Sequence, residues 1–424
     1  MKFLIYMIMM IFLYNSFVFM VSLIFIIFYL FFKFKVSVYT FYFMFFFFFD
    51  KLSLLMFFLF VVILFSLFYF IFFYNNLVFI FFYFSNFLVY MIFFMKNVFY
   101  MFVFYEFIFL PLFFFMNLVS YNYERLNSSF YFMVYLLLFS YPFVFFMFNY
   151  DLMVFFYFLD FYLDVFMFSF FFLVFLSKMS FFFFHYWLIK VHVEVSLDLS
   201  IYFSSILMKL GLYGLSRIII YLYFFDMYIF FYISVMGFFI ISFFNFTNMD
   251  MKVFIAFSSI IYMNMSLSVV FFFNYYSLTG LFLINFFHSF SSMVYFLTFG
   301  FFNFVSKSRL MVSNLGFSNI YSNMFYIFFV FLYINLFSPL TLGFMGELFL
   351  FLFLYYYSGL LFFIFGFLFL INLVYNVIYM ANLGFNVFYF YLYTDLKFSI
   401  FMLFNFVFFF NIILFLKFDF FFIF

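Results

Sequence analysis

Apolar residues run in blocks of about 20, the length that crosses a bilayer core, and short clusters of Lys, Arg, Asp and Asn separate the blocks. The pattern predicts an all-α polytopic membrane protein with about 14 transmembrane helices. These lie near 3–32, 36–49, 53–73, 77–95, 98–120, 128–149, 165–187, 199–224, 227–246, 253–273, 277–304, 320–350, 356–381 and 398–422. The first block is long and the second short, so their boundary stays open. Asp151, Asp160 and Asp164 fall in an aromatic stretch between two blocks, which is expected to lie at the membrane surface. No Pro- or Gly-rich linker and no short repeat interrupts the chain, so residues 1–424 are expected to form a single transmembrane helical domain.

Composition agrees with lipid as the solvent. Of 424 residues 74% are hydrophobic, 7% are charged and 115 are Phe, whereas soluble domains carry about 25% charged residues. A net charge of +2, scattered along the chain, lacks the clustered basic patch of a nucleic-acid binder. The absence of Cys excludes thiolate-held iron–sulfur clusters. The three histidines His185, His192 and His288 are too few for a pair of bis-His haems or a haem–copper core. Ala occurs only at Ala256 and Ala381 and Pro only three times, a skew toward thymine-rich codons that points to an organelle genome. Mutational bias then accounts for the Phe content, because lipid accepts Phe as readily as Leu. The start MKFLIYMIMM lacks an Arg/Ser-rich transit peptide and is expected to open a membrane helix. Loop charges divide into Lys33, Lys35, Arg125, Lys190, Lys252, Lys307, Arg309 and Lys397 on one side, and Lys2, Lys51, Lys96 and Lys417 on the other. The positive-inside rule then places both termini away from the matrix or cytoplasm.

Against this background a few ionisable residues stand out. Residues 178–214 read KMSFFFFHYWLIKVHVEVSLDLSIYFSSILMKLGLYG and contain Lys178, His185, Lys190, His192, Glu194 and Lys209. A charge at bilayer depth costs roughly 2.5–3.5 kcal/mol on insertion scales, so such groups are candidate functional residues. Glu106 in VFYEFIFLPL, Lys178 in FLVFLSKMSFFF, Lys209 in SSILMKLGLYG and Glu347 in LGFMGELFLF all lie inside apolar blocks. Buried lysine changes its protonation readily when desolvated and recovers its charge beside a carboxylate, so moving the carboxylate moves the proton. Alternating acids and lysines therefore read as a proton relay. Glu106 and Lys178 are equally readable as a structural ion pair tying two helices. Lys209 has only Glu194 and Asp198 nearby in sequence, and is harder to explain structurally. His185 and His288 have two readings: proton carriers, since imidazole titrates near neutral pH, or hydrogen-bonding groups that pin broken helices.

The run HYWLIKVHVEVSLDLSIYFSSILMKLGLYG resembles the signature of the subunit 4 family of NADH dehydrogenase, antiporter-like membrane subunits of respiratory complex I. That signature has the form H-x-W-L-P-K-A-H-V-E-A-P followed by a lysine helix ending L-L-K-L-G-G-Y-G, and the spacing here matches without a gap. NYERLN at 122–127, DMKVFIAFSSI at 250–260, HSFSS at 288–292 and LGFMGELF at 342–349 resemble further family motifs in family order. The likeness covers residues 100–350; the flanks match in hydrophobicity alone.

The resemblance implies an antiporter-like bundle with discontinuous helices near Lys178 and Glu347. It also implies roles by position. Glu106 matches the acid of the family's fifth helix and Lys178 the lysine of its broken seventh. Lys209 matches the central lysine of the eighth, His288 the histidine of the eleventh, and Glu347 the acid of the broken twelfth. His185, His192 and Glu194 fall within the signature as supporting residues. The chain departs from the family where Ser180, Ile189 and Ser196 replace prolines, so the break near Lys178 must form without them. Tyr262 stands where the family has a histidine, and a phenol with a pKa near 10 passes protons only through its hydrogen bonds.

The expected function is that of a proton-translocating subunit of NADH:ubiquinone oxidoreductase, enzymatic only as part of that complex. It would hold no cofactor or metal itself, with NADH, FMN, iron–sulfur clusters and ubiquinone in other subunits. The expected location is the inner mitochondrial membrane. The partners implied are other membrane-arm subunits, including neighbouring antiporter-like ones, and lipids. The alternatives are the related subunits 2 and 5, a bacterial cation/proton antiporter component, and a structural scaffold whose charges are retained ion pairs.

Overall fold

A computed structural model describes residues 51–385 apart from 72–75, 96, 120–123, 150–164, 220–227, 271–274, 317–324, 327–328 and 331–340. The helices expected at 3–32, 36–49 and 398–422, and the surface stretch with Asp151, Asp160 and Asp164, lie outside the described residues. Among the described residues the chain is helical, an isolated antiparallel bridge joins Asp250 to Leu310, and Met95 and Asn97 are further bridge positions. Seven stretches among the described residues are long and apolar enough to cross a membrane.

The helices group into two units, each with its own packing. The first contains α1 (Lys51–Ile71), α2 (Asn76–Phe94), α3 (Val98–Phe107), α4 (Phe109–Val119), α5 (Arg125–Asn149) and α6 (Val165–Lys178). It also contains α8 (Leu197–Tyr202) and α9 (Met208–Ile219). The second contains most of α7 (Tyr186–Glu194) and all of α10 (Tyr228–Thr247), α11 (Met251–Val270), α12 (Tyr275–Ser306), α13 (Leu342–Tyr357) and α14 (Gly359–Phe385).

Local sequence explains the interruptions. Pro111 sits at the third position of α4, and a proline ring clashes with the carbonyl four residues earlier. That carbonyl belongs to Phe107, where α3 ends, so one apolar block becomes two helices meeting beside Glu106. Between α8 and α9, Phe203–Leu207 winds as a π-helix immediately before Lys209, a distortion often found at functional sites. α13 has 16 residues, a length of about 24 Å at 1.5 Å per residue, which falls short of a hydrocarbon core about 30 Å thick.

Close approach in each unit depends on glycine. In the first, the Phe175 ring of α6 occupies the space a side chain would take at Gly214 of α9. In the second, a Cβ on Gly280 of α12 would come 3.0 Å from the Gly346 carbonyl of α13, and one on Gly346 would come 3.0 Å from the Ile284 nitrogen. Small residues let membrane helices meet at backbone distance, and here the meeting point adjoins Glu347.

Lys252, which the sequence places among loop charges, is buried in the first turn of α11 and donates to the Val193 carbonyl at 3.3 Å. It therefore supplies positive charge at the C-terminal end of α7, where the helix dipole favours it. Buried serines return their hydroxyls to their own helix: Ser177, Ser216, Ser258, Ser259 and Ser289 each donate to the carbonyl three residues earlier.

Gly346→Ala forces backbone to move on both α12 and α13, and is expected to cost about 1–3 kcal/mol as an overpacked substitution. The expected outcome is a lowered thermal midpoint of the detergent-extracted protein in its native assembly. An unchanged midpoint would show that the two helices do not meet at this glycine.

Candidate functional site

The first unit contains a buried ion pair. Lys178, the last residue of α6, forms a salt bridge with Glu106 in the last turn of α3. The Lys178 side chain is 2% exposed and that of Glu106 is 22% exposed. Aromatic rings complete the lysine's surroundings: its Nζ lies 3.8 Å from the Tyr105 ring centroid, 4.7 Å from Phe109 and 5.5 Å from Phe102. Cation–π attraction strengthens when the cation is desolvated, so these faces share with Glu106 the task of holding the charge. A cavity of about 260 Å³ reaches Glu106 and is lined by Val103, Leu110, Met133, Leu136 and Val144, among others. The carboxylate is thus the accessible partner of the pair, and the ammonium the enclosed one.

Behind Lys178 the helix breaks without proline. Ser180 and Phe183 take positive φ values of 53° and 74°, a region costly for a bulky side chain. Two hydrogen bonds hold the reversal: Phe184 N–H donates to the Phe181 carbonyl at 2.8 Å, and Phe182 N–H to Asn264 Oδ1 of α11 at 3.2 Å. Sequence pattern does not single out Asn264, because its partner lies 82 residues away.

Lys209 is 1% exposed and occupies the second position of α9. The apolar window of the span Leu197–Arg217 is wholly buried. The contact of Gly214 with Phe175 fixes α9 against α6, one turn before Lys178. Glu194 ends α7 and is half-buried. Asp198, in the first turn of α8, is 8% exposed.

The second unit gathers a different set. Tyr262 of α11 and His288 of α12 have ring centroids 5.2 Å apart. Tyr262 also lies within electrostatic range of Glu347, Tyr295 and Tyr375. Glu347 is 3% exposed, and its Oε1 has no hydrogen-bond partner. His185 is stacked between Phe182 and Tyr186 at 5.6 and 4.4 Å. His192 stacks on Phe296 at 5.1 Å. α13 starts at Leu342, capped by Thr341, five residues before Glu347; the residues that would show the other side of a break there are outside the described set. Among the described residues no three His, Asp or Glu side chains gather as a metal site would need.

Each unit thus has an ionisable group enclosed in apolar surroundings. In the first, an acid and a base are paired within reach of a cavity. In the second, a phenol, an imidazole and a carboxyl with one oxygen outside any hydrogen bond adjoin a tight glycine contact. Ionisable groups enclosed in a membrane bundle are candidates for ion or proton paths.

Residues 95–373 match the profile of the family described as NADH:quinone oxidoreductase/Mrp antiporter, TM. The NADH-ubiquinone oxidoreductase chain 4 of Ascaris suum is 27% identical over 224 residues, which is 53% of this chain and 55% of that protein. That of Caenorhabditis elegans is 30% identical over 137 residues, 32% of this chain and 34% of that protein. The chain thus spans about half or less of the curated relatives it matches. Similar structures occur in respiratory complex I from Thermus thermophilus with bound NADH (TM-score 0.71, 16% identity, 87% of this chain and 81% of that chain). Another is the Mrp complex from Dietzia sp. DQ12-45-1b (TM-score 0.71, 17% identity, 80% and 67%). At these identities the structures show a shared fold alone.

Lys178→Met leaves the partly enclosed Glu106 carboxylate without its partner, a loss expected to fall below the about 3–5 kcal/mol of a fully buried pair. The double variant Lys178→Met with Glu106→Gln is expected to be more stable than the single one. Thermal unfolding of the native assembly carrying each variant measures this, and additive losses would mean the two side chains do not form a pair.

Proposed function

The chain belongs to the NADH:quinone oxidoreductase/Mrp antiporter membrane family, and from that premise we propose that it is the proton-translocating subunit 4 of NADH:ubiquinone oxidoreductase in the inner mitochondrial membrane. The observation that carries this reading is the enclosed Lys178 ammonium, paired with a cavity-accessible Glu106 at a helix break. A merely structural ion pair has no need of a route to one partner only, or of a strained reversal immediately behind the other. The relatives named NADH-ubiquinone oxidoreductase chain 4 favour subunit 4 over its paralogues.

In this reading Glu106 takes up protons from the cavity side. An ammonium in apolar surroundings persists only while a counter-charge supports it. Withdrawal of Glu106 would remove that support and send the proton onward; its return would restore the charged pair. Lys209, buried in the same unit beyond a π-helical turn, is the next acceptor. His288, Tyr262 and Glu347 serve the second unit in the same manner, with Tyr262 relaying through its hydroxyl. Redox chemistry and its cofactors belong to partner subunits, and conformational changes there would move the carboxylates.

A second reading, a cation/proton antiporter component, is favoured by the likeness to the Mrp complex. Native electrophoresis of mild-detergent membrane extracts separates the two: co-migration with an NADH-oxidising band supports subunit 4, and migration without one supports the antiporter.

Lys209→Met is expected to lower proton uptake per NADH oxidised about tenfold, the effect of ~1.4 kcal/mol on one transfer step, while assembly and ionophore-released NADH oxidation persist. Unchanged pumping in an assembled complex would instead make the buried charges scaffold.

A further inference from the structure

The break after Lys178 is not written in its own residues. Residues 179–185 read MSFFFFH, with neither Pro nor Gly. Yet Ser180 and Phe183 take φ values of 53° and 74°, a region that Gly enters freely and bulky side chains do not. The Ser180 hydroxyl does not hold the turn, because it is buried and has no hydrogen-bond partner. Strained backbone persists only where the surrounding structure over-determines it, so the groups that fix this break come from elsewhere in the fold.

They converge on Phe182, and all belong to the second unit. The Phe182 N–H donates to Asn264 Oδ1 of α11 at 3.2 Å. Its side chain fills the space that one at Gly237 of α10 would take, and its ring stacks on His185 at 5.6 Å. Asn264 is fully buried. Around it on α11, Ser258, Ser259, Ser266 and Ser268 return their hydroxyls to the carbonyl three residues earlier. Asn264 makes a similar local bond with Nδ2, to the Ile260 carbonyl at 3.0 Å. An amide has separate donor and acceptor groups, so closing one on its own helix leaves the other to reach a second segment. Where a membrane helix breaks, each backbone donor that loses its helical partner has to be met by protein, and Asn264 meets the one at Phe182.

We propose that Asn264 is a positioning residue for Lys178: by accepting from the Phe182 N–H it holds the break that ends α6 at the lysine, and so keeps the ammonium in the place where Glu106 pairs with it. Lys178 is the last residue of α6, where carbonyls without helical partners favour a cation. About one helical turn separates it from the clamped N–H. Without the clamp, Ser180 and Phe183 relax to negative φ and α6 winds on past Lys178. The carbonyls of its last turn then take up helical N–H groups, and the ammonium loses that support. Asn264 thus acts on Lys178 through the backbone. The inference rests on the proton-translocation reading and adds to it a residue on α11.

Two measurements test it. Asn264→Leu keeps side-chain size and removes the acceptor, and proton translocation per NADH in the assembled complex is expected to fall about tenfold. Adding Phe183→Gly is expected to restore most of it, because Gly holds a positive φ without the clamp and the Phe183 ring, 63% exposed, leaves no cavity. A loss that Phe183→Gly does not repair marks general damage to α11 and overturns the positioning role. Intact translocation in Asn264→Leu, alongside its loss in Lys209→Met, overturns that role and leaves the functional reading standing. Intact translocation in both overturns the functional reading as well. The second measurement is residue-resolved hydrogen exchange of the unaltered native assembly. The Phe182 amide is expected to exchange as slowly as that of Phe184, which donates to the Phe181 carbonyl at 2.8 Å; exchange many times faster overturns the clamp. If Asn264→Leu does not assemble, hydrogen exchange decides alone.

Discussion

A full positive charge inside an apolar bundle has to be compensated on every side, and the ammonium of Lys178 shows what that demands. One carboxylate and three aromatic faces surround it, and every one comes from the Phe102–Phe109 segment. That segment can curl round the lysine because Pro111 ends α3 at Phe107 and starts a new helix at Phe109. On the lysine's own side, α6 stops at residue 178. The helix is interrupted there by two residues with positive φ. Charge, kink and reversal are thus one arrangement.

The second unit solves a related problem by close packing. Gly280 and Gly346 let α12 and α13 meet at backbone distance, which encloses Glu347 and excludes lipid from it. Serines in these helices close their hydrogen bonds on their own backbones and behave as small apolar residues.

Parts of this were readable in the chain. Glu106, Lys178, Lys209 and Glu347 are conspicuous because each interrupts an apolar block, and the cost of a charge in lipid makes every such interruption meaningful. Pro111 announces its own break. The reversal after Lys178 was less legible, since Ser180 stands where a proline would have signalled it, and the turn is held by Asn264 from another helix. Lys252 reads as a loop charge because it follows Asp250 at a helix boundary, yet it is buried against α7.

The sequence by itself determined the solvent, the helical class and the depth of the charged residues, because these follow from local hydrophobicity and the length needed to span a bilayer. It also marked which residues could exchange protons, since so few ionisable groups survive in so apolar a chain. Tertiary structure alone decided the pairings: that Lys178 meets Glu106 and that Tyr262 adjoins His288. Pairings depend on which helix faces contact each other, and that is set by glycine contacts and aromatic packing between segments tens to more than a hundred residues apart. Nothing local to any one helix specifies them.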